Sequence, residues 1–348
     1  MTKNTEKTIL LTGAAGFVGH HTLAHLLKTT SFNFVVTDSF KHRGISARLR
    51  SVFEEVPTAA DRVRVVTHDL TTPIDRVTAE EFGDINLIIN MASESHVDRS
   101  ISEPREFIEN NIRLVLTLLD YSRTLENLEL FLQISTDEVY GPAIFGENHK
   151  EWETHFPSNP YSASKAAQEN ICYSYWRTYG LPMIITNTMN IVGERQDKEK
   201  FIPMALSSLI SGSGVPIHAR ESARGEWHAG SRYYLHARNQ ADALRHIISR
   251  LSDLHLTYSE RNFKLEKFNV VGEMELKNDD LVRMLASFLK IEAKLEYVDF
   301  HSSRPGHDLR YALDGSRLSE FGWIPPVPLA ASLERTVNWY LRNPSWLN

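Results

Sequence analysis

Two short stretches of this sequence carry side chains able to move protons. Tyr161-Ser162-Ala163-Ser164-Lys165 sets a phenol and an amine four residues apart. In a helix, positions i and i+4 share a face, so Lys165 can sit beside the Tyr161 hydroxyl. A nearby ammonium favours phenolate, so the tyrosine is expected to fall toward the working pH range and act as a base. The second stretch, Ser135-Thr136-Asp137-Glu138-Val139-Tyr140-Gly141, sets two carboxyl groups side by side. If both face one substrate, their environments can drive their pKa values apart and give one acid and one base. The alternative is that adjacent residues point different ways and only one reaches a pocket.

A third stretch, Thr12-Gly13-Ala14-Ala15-Gly16-Phe17-Val18-Gly19, is built to hold phosphates. Gly13 allows a tight turn, Gly16 lets the backbone approach a pyrophosphate, and Gly19 permits close helix–strand packing. A helix opening at Phe17 and Val18 would aim free N–H groups and its positive dipole end at the ligand. Asp38 falls where a carboxylate would accept from both ribose hydroxyls and repel a 2′-phosphate, which favours NAD over NADP. Lys41 and Arg43 lie close by, and a base there could accommodate the extra phosphate. In His68-Asp69-Leu70, Asp69 could accept from an adenine amino group.

These groups need a scaffold. Apolar runs at Thr8–Thr12, Phe34–Thr37, Val63–Thr67, Leu87–Met91, Leu130–Ser135 and Met183–Asn187 read as strands. Helical patterns at Phe17–Lys28, Pro104–Leu125 and Tyr161–Tyr179 fill gaps between them. Continuous apolar strands alternating with helices predict an α/β fold, a doubly wound parallel sheet of Rossmann type covered on both faces. The sheet domain is expected to span residues 1–187, with returning segments at 232–252 and 266–272. Residues 188–231 and 273–348 are expected to form a smaller, partly interleaved substrate lobe. Within that half, Phe201–Ser211, Asn239–Arg250, Asn278–Leu289 and Ala330–Arg342 read as helices, Phe268–Val271 as a strand, and Ser211–Ser231 as a long loop or hairpin.

Composition narrows the function classes. The 348-residue chain has 42% hydrophobic and 24% charged residues and a formal net charge of -6. An acidic balance argues against general nucleic-acid binding. The single cysteine, Cys172, excludes an internal disulfide and a cysteine metal cluster, and suits a reducing compartment. The polar N-terminus lacks the apolar region of a signal peptide, and the sequence contains no run of 18 or more apolar residues. A cytoplasmic location without membrane association is therefore expected. His21 and His25 have H-x-x-x-H spacing but lack a partner glutamate and a third ligand nearby, so they are read as surface or packing residues and no metal is expected. Tyr173, Tyr175 and Trp176 beside Cys172 read as a helix face that packs on a partner or on the core.

The chain resembles the extended short-chain dehydrogenase/reductases, and within them the dTDP-glucose 4,6-dehydratase family. The resemblance rests on the glycine loop, Ala92-Ser93-Glu94-Ser95-His96-Val97-Asp98-Arg99-Ser100, Ser135 to Gly141, Tyr161 to Lys165, and Arg304-Pro305-Gly306-His307-Asp308-Leu309-Arg310-Tyr311, in order over almost the whole chain. The Thr-Asp-Glu triplet discriminates, because the sister epimerases lack that pair of acids. The family mechanism implies that Tyr161 takes the proton of a sugar 4-hydroxyl while NAD accepts the C4 hydride, with Thr136 steering the C4 oxygen. Glu138 then removes the C5 proton, Asp137 protonates the departing 6-hydroxyl, and the hydride returns to C6. The resemblance further implies that Ala92 and Ser93 lie near the cofactor. It makes Glu94, Asn111 and Asn190 substrate contacts, with Arg232 and Arg304 holding the nucleotide diphosphate. Lys200 could reach the same phosphates or be solvated. His96 could serve as a base or support its loop. A homodimer through the helices at Pro104–Leu125 and Tyr161–Tyr179 is implied as well.

Two departures bear on specificity. The family has two consecutive asparagines where this chain has Asn190-Ile191, and Ser211–Ser231 is longer and more polar than usual, with Arg220, Arg224, Trp227 and His228. The base and the hexose stay open. A 4-epimerase or decarboxylase of the same superfamily is the second reading, and a cofactor-binding regulatory protein the third.

Overall fold

The computed structural model describes residues 7–41, 45–300 and 308–347. Arg43 and Arg304 lie outside the described residues. In the first half, strands β1 (Thr8–Thr12), β2 (Asn33–Asp38), β3 (Val63–Thr67), β4 (Leu87–Asn90), β5 (Leu130–Thr136) and β6 (Met183–Thr188) alternate with helices α1 (Phe17–Thr29), α2 (Ile45–Glu55), α3 (Arg76–Phe82), α4 (Val97–Ser102), α5 (Pro104–Ser122) and α6 (Pro160–Tyr179). After these come β7 (Asn190–Val192), α7 (Phe201–Ser211), β8 (Val215–Glu221), β9 (Trp227–Ala229), β10 (Ser231–His236), α8 (Ala237–Ser249), β11 (Glu266–Val270), β12 (Glu275–Lys277), α9 (Asn278–Leu289) and β13 (Leu295–Asp299).

The main sheet has seven strands in the order β11-β6-β5-β4-β1-β2-β3, every pairing parallel. This is a Rossmann sheet with a further strand added by β11. Its central strands are apolar because both faces are covered: β1 is Thr-Ile-Leu-Leu-Thr, with its four last residues buried. One face packs Leu23, Leu26 and Leu27 of α1 and Leu244 and Ile247 of α8 on Ile9, Leu11 and Phe34. The other packs Leu114, Leu118 and Leu119 of α5 and Cys172 and Trp176 of α6 on Leu10, Ile88 and Phe131. Cys172 and Trp176 thus belong to the core, while Tyr175 reaches across to donate to Asp120 of α5 at 2.9 Å.

The second half builds two three-stranded sheets, β12-β10-β7 and β13-β8-β9. The stretch at Ser211–Ser231 resolves into the β8–β9 hairpin, where Trp227 stacks on Tyr297. A separate apolar cluster holds α7, α9 and the helix Leu329–Arg342 together through Ile202, Leu206, Leu281, Leu285, Leu333 and Tyr340. His21 is buried against this half: its Nε2 lies 3.0 Å from the Glu194 carbonyl oxygen. The Glu194 carboxylate meets His236 at 3.1 Å and Arg335 at 2.9 Å. His25 sits 3.3 Å from Asp242. Among the described residues no cluster of His, Cys, Asp and Glu could hold a metal ion, and no helix is long and apolar enough to cross a membrane.

Candidate active site

Parallel strands end together, and the order of this sheet reverses between β1 and β4, which opens a crevice at their carboxyl ends. A cavity of about 1430 Å³ fills it. The cavity is lined by Gly13, Gly16, Phe17, Val18 and Gly19 after β1, Asp38 at the end of β2, Asp69 and Leu70 after β3, and Ala92, Ser93 and Glu94 after β4. Thr136, Asp137 and Glu138 after β5 line it too, with Tyr161 and Lys165 from α6 and Asn190, Lys200 and Arg232 from the second half.

The glycine loop fits a dinucleotide pyrophosphate on geometry alone. Gly13 has φ of +61°, and a Cβ there would stand 2.9 Å from the Ala92 backbone. A Cβ on Gly19 would stand 2.2 Å from the Gly13 carbonyl oxygen, so this glycine lets α1 start against β1. Gly19→Ala is expected to destabilise the protein by about 1–3 kcal/mol or more, because the obstruction is backbone. It should also weaken NAD binding by on the order of tenfold. Thermal unfolding and calorimetry with NAD check both, and an unchanged melting temperature would contradict the close approach. Asp38 accepts from the Phe40 amide at 3.0 Å and still faces the cavity. Lys41 is ion-paired with Asp69, which also accepts from Thr71. That pairing occupies the carboxylate expected to meet adenine and directs Lys41 toward it.

The turn that carries the two adjacent acids is positioned from both sides. Asp137–Tyr140 forms one 3-10 turn, capped by Thr136 and closed by Gly141 at φ of +77°. Asn159 begins α6 with a capping box, and its Nδ2 donates to Glu138 Oε2 at 3.2 Å. The cap of the helix carrying Tyr161 and Lys165 therefore also orients an acid. Thr136 donates to Asp137 Oδ1 at 2.9 Å, while Asp137 Oδ2 has no hydrogen-bond partner among the described residues. Burial pushes Asp137 up to about 6. Burial and the Asp137 charge push Glu138 up to about 7. Both acids reach the same cavity, and burial holds both above the ordinary carboxylate range, so the pair can share one proton and offer an acid beside a base.

The tyrosine departs from the sequence expectation. Burial pushes the Tyr161 phenol above its ordinary range and the Glu138 charge adds to this, against a hydrogen bond with Thr136 that lowers it. Lys165 does not offset the rise. Its Nζ donates to the Ile134 carbonyl at 2.8 Å and to Gln168 Oε1 at 2.7 Å, and burial pulls it down to about 8. Helical spacing brought the two groups to one face, but the terminal donors found nearer acceptors. Those acceptors belong to a buried relay in which Thr12 donates to Asn90 at 2.7 Å, Asn90 to Gln133 at 2.8 Å, and Gln133 to Gln168 at 3.2 Å. The relay ties the glycine loop to the tyrosine–lysine helix across the sheet.

Asn111 is set back from the other expected contacts. It stands behind the cavity wall, fully buried, with Oδ1 accepting from the Glu94 amide at 2.9 Å and Nδ2 donating to Ser164 at 2.8 Å and to the Glu94 carbonyl at 3.1 Å. Both of its amide protons are used, so in this structure it shapes the Glu94 loop. Glu94 itself pairs with Arg99 at 3.0 Å. His96 caps α4 through the Arg99 amide and meets Glu199 at 3.4 Å, which is a loop-supporting placement. Lys200 is half-buried at the start of α7, close to the Ser95 carbonyl. Arg232 spans the Leu309 and Asp308 carbonyls and lies 4.6 Å over the Tyr311 ring.

His218, Asn278 and Tyr311 also line the cavity. None stood out as a contact in the sequence. Asn278 accepts from Tyr234 at 2.7 Å, and Tyr311 is buried beside Arg232. Tyr311 closes the Arg304–Tyr311 motif, and that was the available signal.

A phosphate-binding glycine loop on a seven-stranded parallel sheet, facing a tyrosine–lysine helix in one cavity, defines an extended short-chain dehydrogenase/reductase. More narrowly, the family model described as GDP-mannose 4,6 dehydratase matches residues 10–336, and the chain belongs to that dehydratase family. It is 32% identical over 363 residues to a dTDP-glucose 4,6-dehydratase of Salmonella typhimurium, covering 98% of this chain and 94% of the relative. A dTDP-glucose 4,6-dehydratase of Neisseria meningitidis is 31% identical, with 98% and 95% covered. Among solved structures, dTDP-glucose 4,6-dehydratase from Streptomyces venezuelae with NAD and TYD bound superposes at a TM-score of 0.81 with 30% identity, covering 98% of this chain and all of the other. UDP-glucuronic acid 4-epimerase from Bacillus cereus, at 21% identity and a TM-score of 0.81, shares the fold.

Proposed function

We propose that this protein is an NAD-dependent hydro-lyase that converts a nucleoside diphosphate hexose, dTDP-glucose or a close relative, to the 4-keto-6-deoxy sugar. One observation carries the reading: Asp137 and Glu138 lie in the same cavity as Tyr161 and the glycine loop. An epimerase needs the last two features and has no use for a paired acid and base. The names of the relatives support the dehydratase reading.

Gly13–Gly19 and Asp38 would hold NAD, which would supply hydride acceptance and donation for the sugar. The protein's own residues handle the protons. Tyr161 takes the 4-hydroxyl proton and Thr136 holds the C4 oxygen; Lys165, one helical turn on and held by Ile134 and Gln168, is the cation that would have to turn toward the phenol to stabilise phenolate. The resulting C4 ketone acidifies C5. Glu138 removes the C5 proton, the C6–O bond breaks as Asp137 donates a proton so that water leaves, and Glu138 returns a solvent-exchanged proton to C5 when hydride reaches C6. Arg232 and Arg304 pair with the diphosphate, Lys200 adds charge beside them, and Glu94 and Asn190 contact the sugar.

The division of labour follows the fold, with residues 1–187 and the returning segments 232–252 and 266–272 holding NAD and the remaining lobe holding the nucleotide. The outer faces of α5 and α6, with Ile108, Ile112, Leu116, Ile171 and Tyr175 incompletely buried, are read as a homodimer contact, and the buried single thiol fits work in the cytoplasm.

The test is a panel of dTDP-, UDP- and GDP-hexoses incubated in deuterated water, with mass analysis of the products. The expected product has lost water and carries solvent deuterium at C5. A product of unchanged mass with its C5 hydrogen retained would make the protein an epimerase instead.

A further inference from the structure

The face of α6 that carries Tyr161 and Lys165 does not end there. Glu169 lies four residues beyond Lys165, so phenol, ammonium and carboxylate stand in one row at successive turns. Glu169 is buried, and each of its oxygens is engaged. Oε1 accepts from Asn187 Nδ2 at 2.7 Å. Oε2 accepts from Lys267 Nζ at 2.6 Å and lies 3.2 Å from His155 Nε2. The same Asn187 Nδ2 donates to the Thr136 carbonyl at 2.9 Å. One carboxylate thus joins the helix of Tyr161 and Lys165 to the end of β5, where the Thr136–Glu138 turn begins.

We propose that Glu169 is a positioning residue for proton transfer: it is the counter-charge of the Lys165 ammonium and, through Asn187, sets Thr136 in register with Tyr161. This rests on the reading of Tyr161 and Lys165 as the proton-handling pair. An ammonium whose direct partners are a carbonyl and a side-chain amide oxygen has neutral hydrogen-bond partners only. Glu169 is the largest influence holding Lys165 up against burial, and the Cys172 thiol, itself pushed up by burial, is a lesser one. Other titratable groups around the row include Tyr161 on α6, Asp137 and Glu138 facing that phenol, Lys267 on β11, His155 in the loop before α6, and Tyr140, whose ring lies 4.8 Å from Lys267 Nζ. Lys267 is almost wholly buried and is the charge that holds Glu169 ionised.

The sign follows from the placement. Removing the Glu169 charge lets burial lower Lys165 further, so the ammonium is lost at a lower pH and the alkaline limb of the rate profile moves toward acid. The acid limb, set by Asp137 and Glu138, stays in place. Glu169→Gln alone leaves the Lys267 ammonium buried without its partner and is prone to unfold. The decisive variant is therefore Glu169→Gln with Lys267→Met, which removes both charges. Two measurements are made on the full chain with NAD: the pH profile of kcat, and the titration of Lys165 by lysine-selective 15N NMR. The expected result is a fall of about one unit in the Lys165 titration and about a tenfold loss of rate on the alkaline side. Binding of nucleotide sugar should hold near the wild-type KM, and Glu169→Asp should restore part of the shift. A folded double variant with an unmoved Lys165 titration and an unmoved alkaline limb would reduce Glu169 to an ion-pair partner of Lys267 and overturn the proposal. If wild-type protein turned over no nucleotide hexose, the active-site reading would fail, and the NMR titration would still decide the electrostatic role of Glu169.

Discussion

Glu138→Gln should abolish water elimination while leaving C4 oxidation in place. Glutamine keeps the shape and the oxygen that accepts from Asn159, so the turn and the helix cap are retained. It cannot take a proton, so the C5 hydrogen stays on the sugar. Removal of a positioned general base costs about 10²–10⁴-fold in rate. The Glu138 charge also pushes the Tyr161 phenol up, so its loss makes that phenol no harder to ionise. A single turnover quenched with borodeuteride should place label at C4 of a hexose that still bears its 6-hydroxyl. Solvent deuterium should be absent from C5, and calorimetry should show NAD bound as in the wild type. C5 exchange at the wild-type rate would assign the base to another residue.

Tyr161→Phe should stop the reaction one step earlier. The ring packs edge-on against Phe107 with centroids 6.2 Å apart, and phenylalanine preserves that contact. The hydroxyl that receives the 4-hydroxyl proton is gone, along with its hydrogen bond to Thr136. A loss of about 10²–10⁴-fold is again expected, for the same kind of proton transfer. Here the borodeuteride quench should leave no label at C4, because no ketone forms, and C5 exchange should be absent because its acidity depends on that ketone. The two variants therefore separate the steps: a C4 ketone forms in the Glu138 variant and not in the Tyr161 variant. C4 label appearing with Tyr161→Phe would remove Tyr161 from the first step.

Much of the scaffold was legible before any coordinates. Six strands in the first half were visible as apolar runs, because a parallel sheet buried on both faces demands continuous hydrophobicity. Val63–Thr67, Phe201–Ser211 and Asn278–Leu289 match the structure at both ends. The β8–β9 segment was legible as a long loop or hairpin but its strands could not be placed, since its pairing with β13 is long-range. The carboxylate row on α6 could have been found by extending the four-residue step from Lys165 to Glu169. The placement of Asn111 could not, because its partners Glu94 and Ser164 come from separate elements.

Alone, the sequence determined which residue types stand at each strand end and which share a helix face, since both follow from local periodicity and turn chemistry. It did not determine what each buried polar atom would touch. Lys165 turned to Ile134 and Gln168, Asn111 to the Glu94 backbone, and Lys41 to Asp69. Those choices depend on which acceptor from a distant segment is nearest once the chain has closed around it. Burial then shifts Asp137, Glu138, Tyr161 and Lys165 by amounts that only the surrounding packing sets.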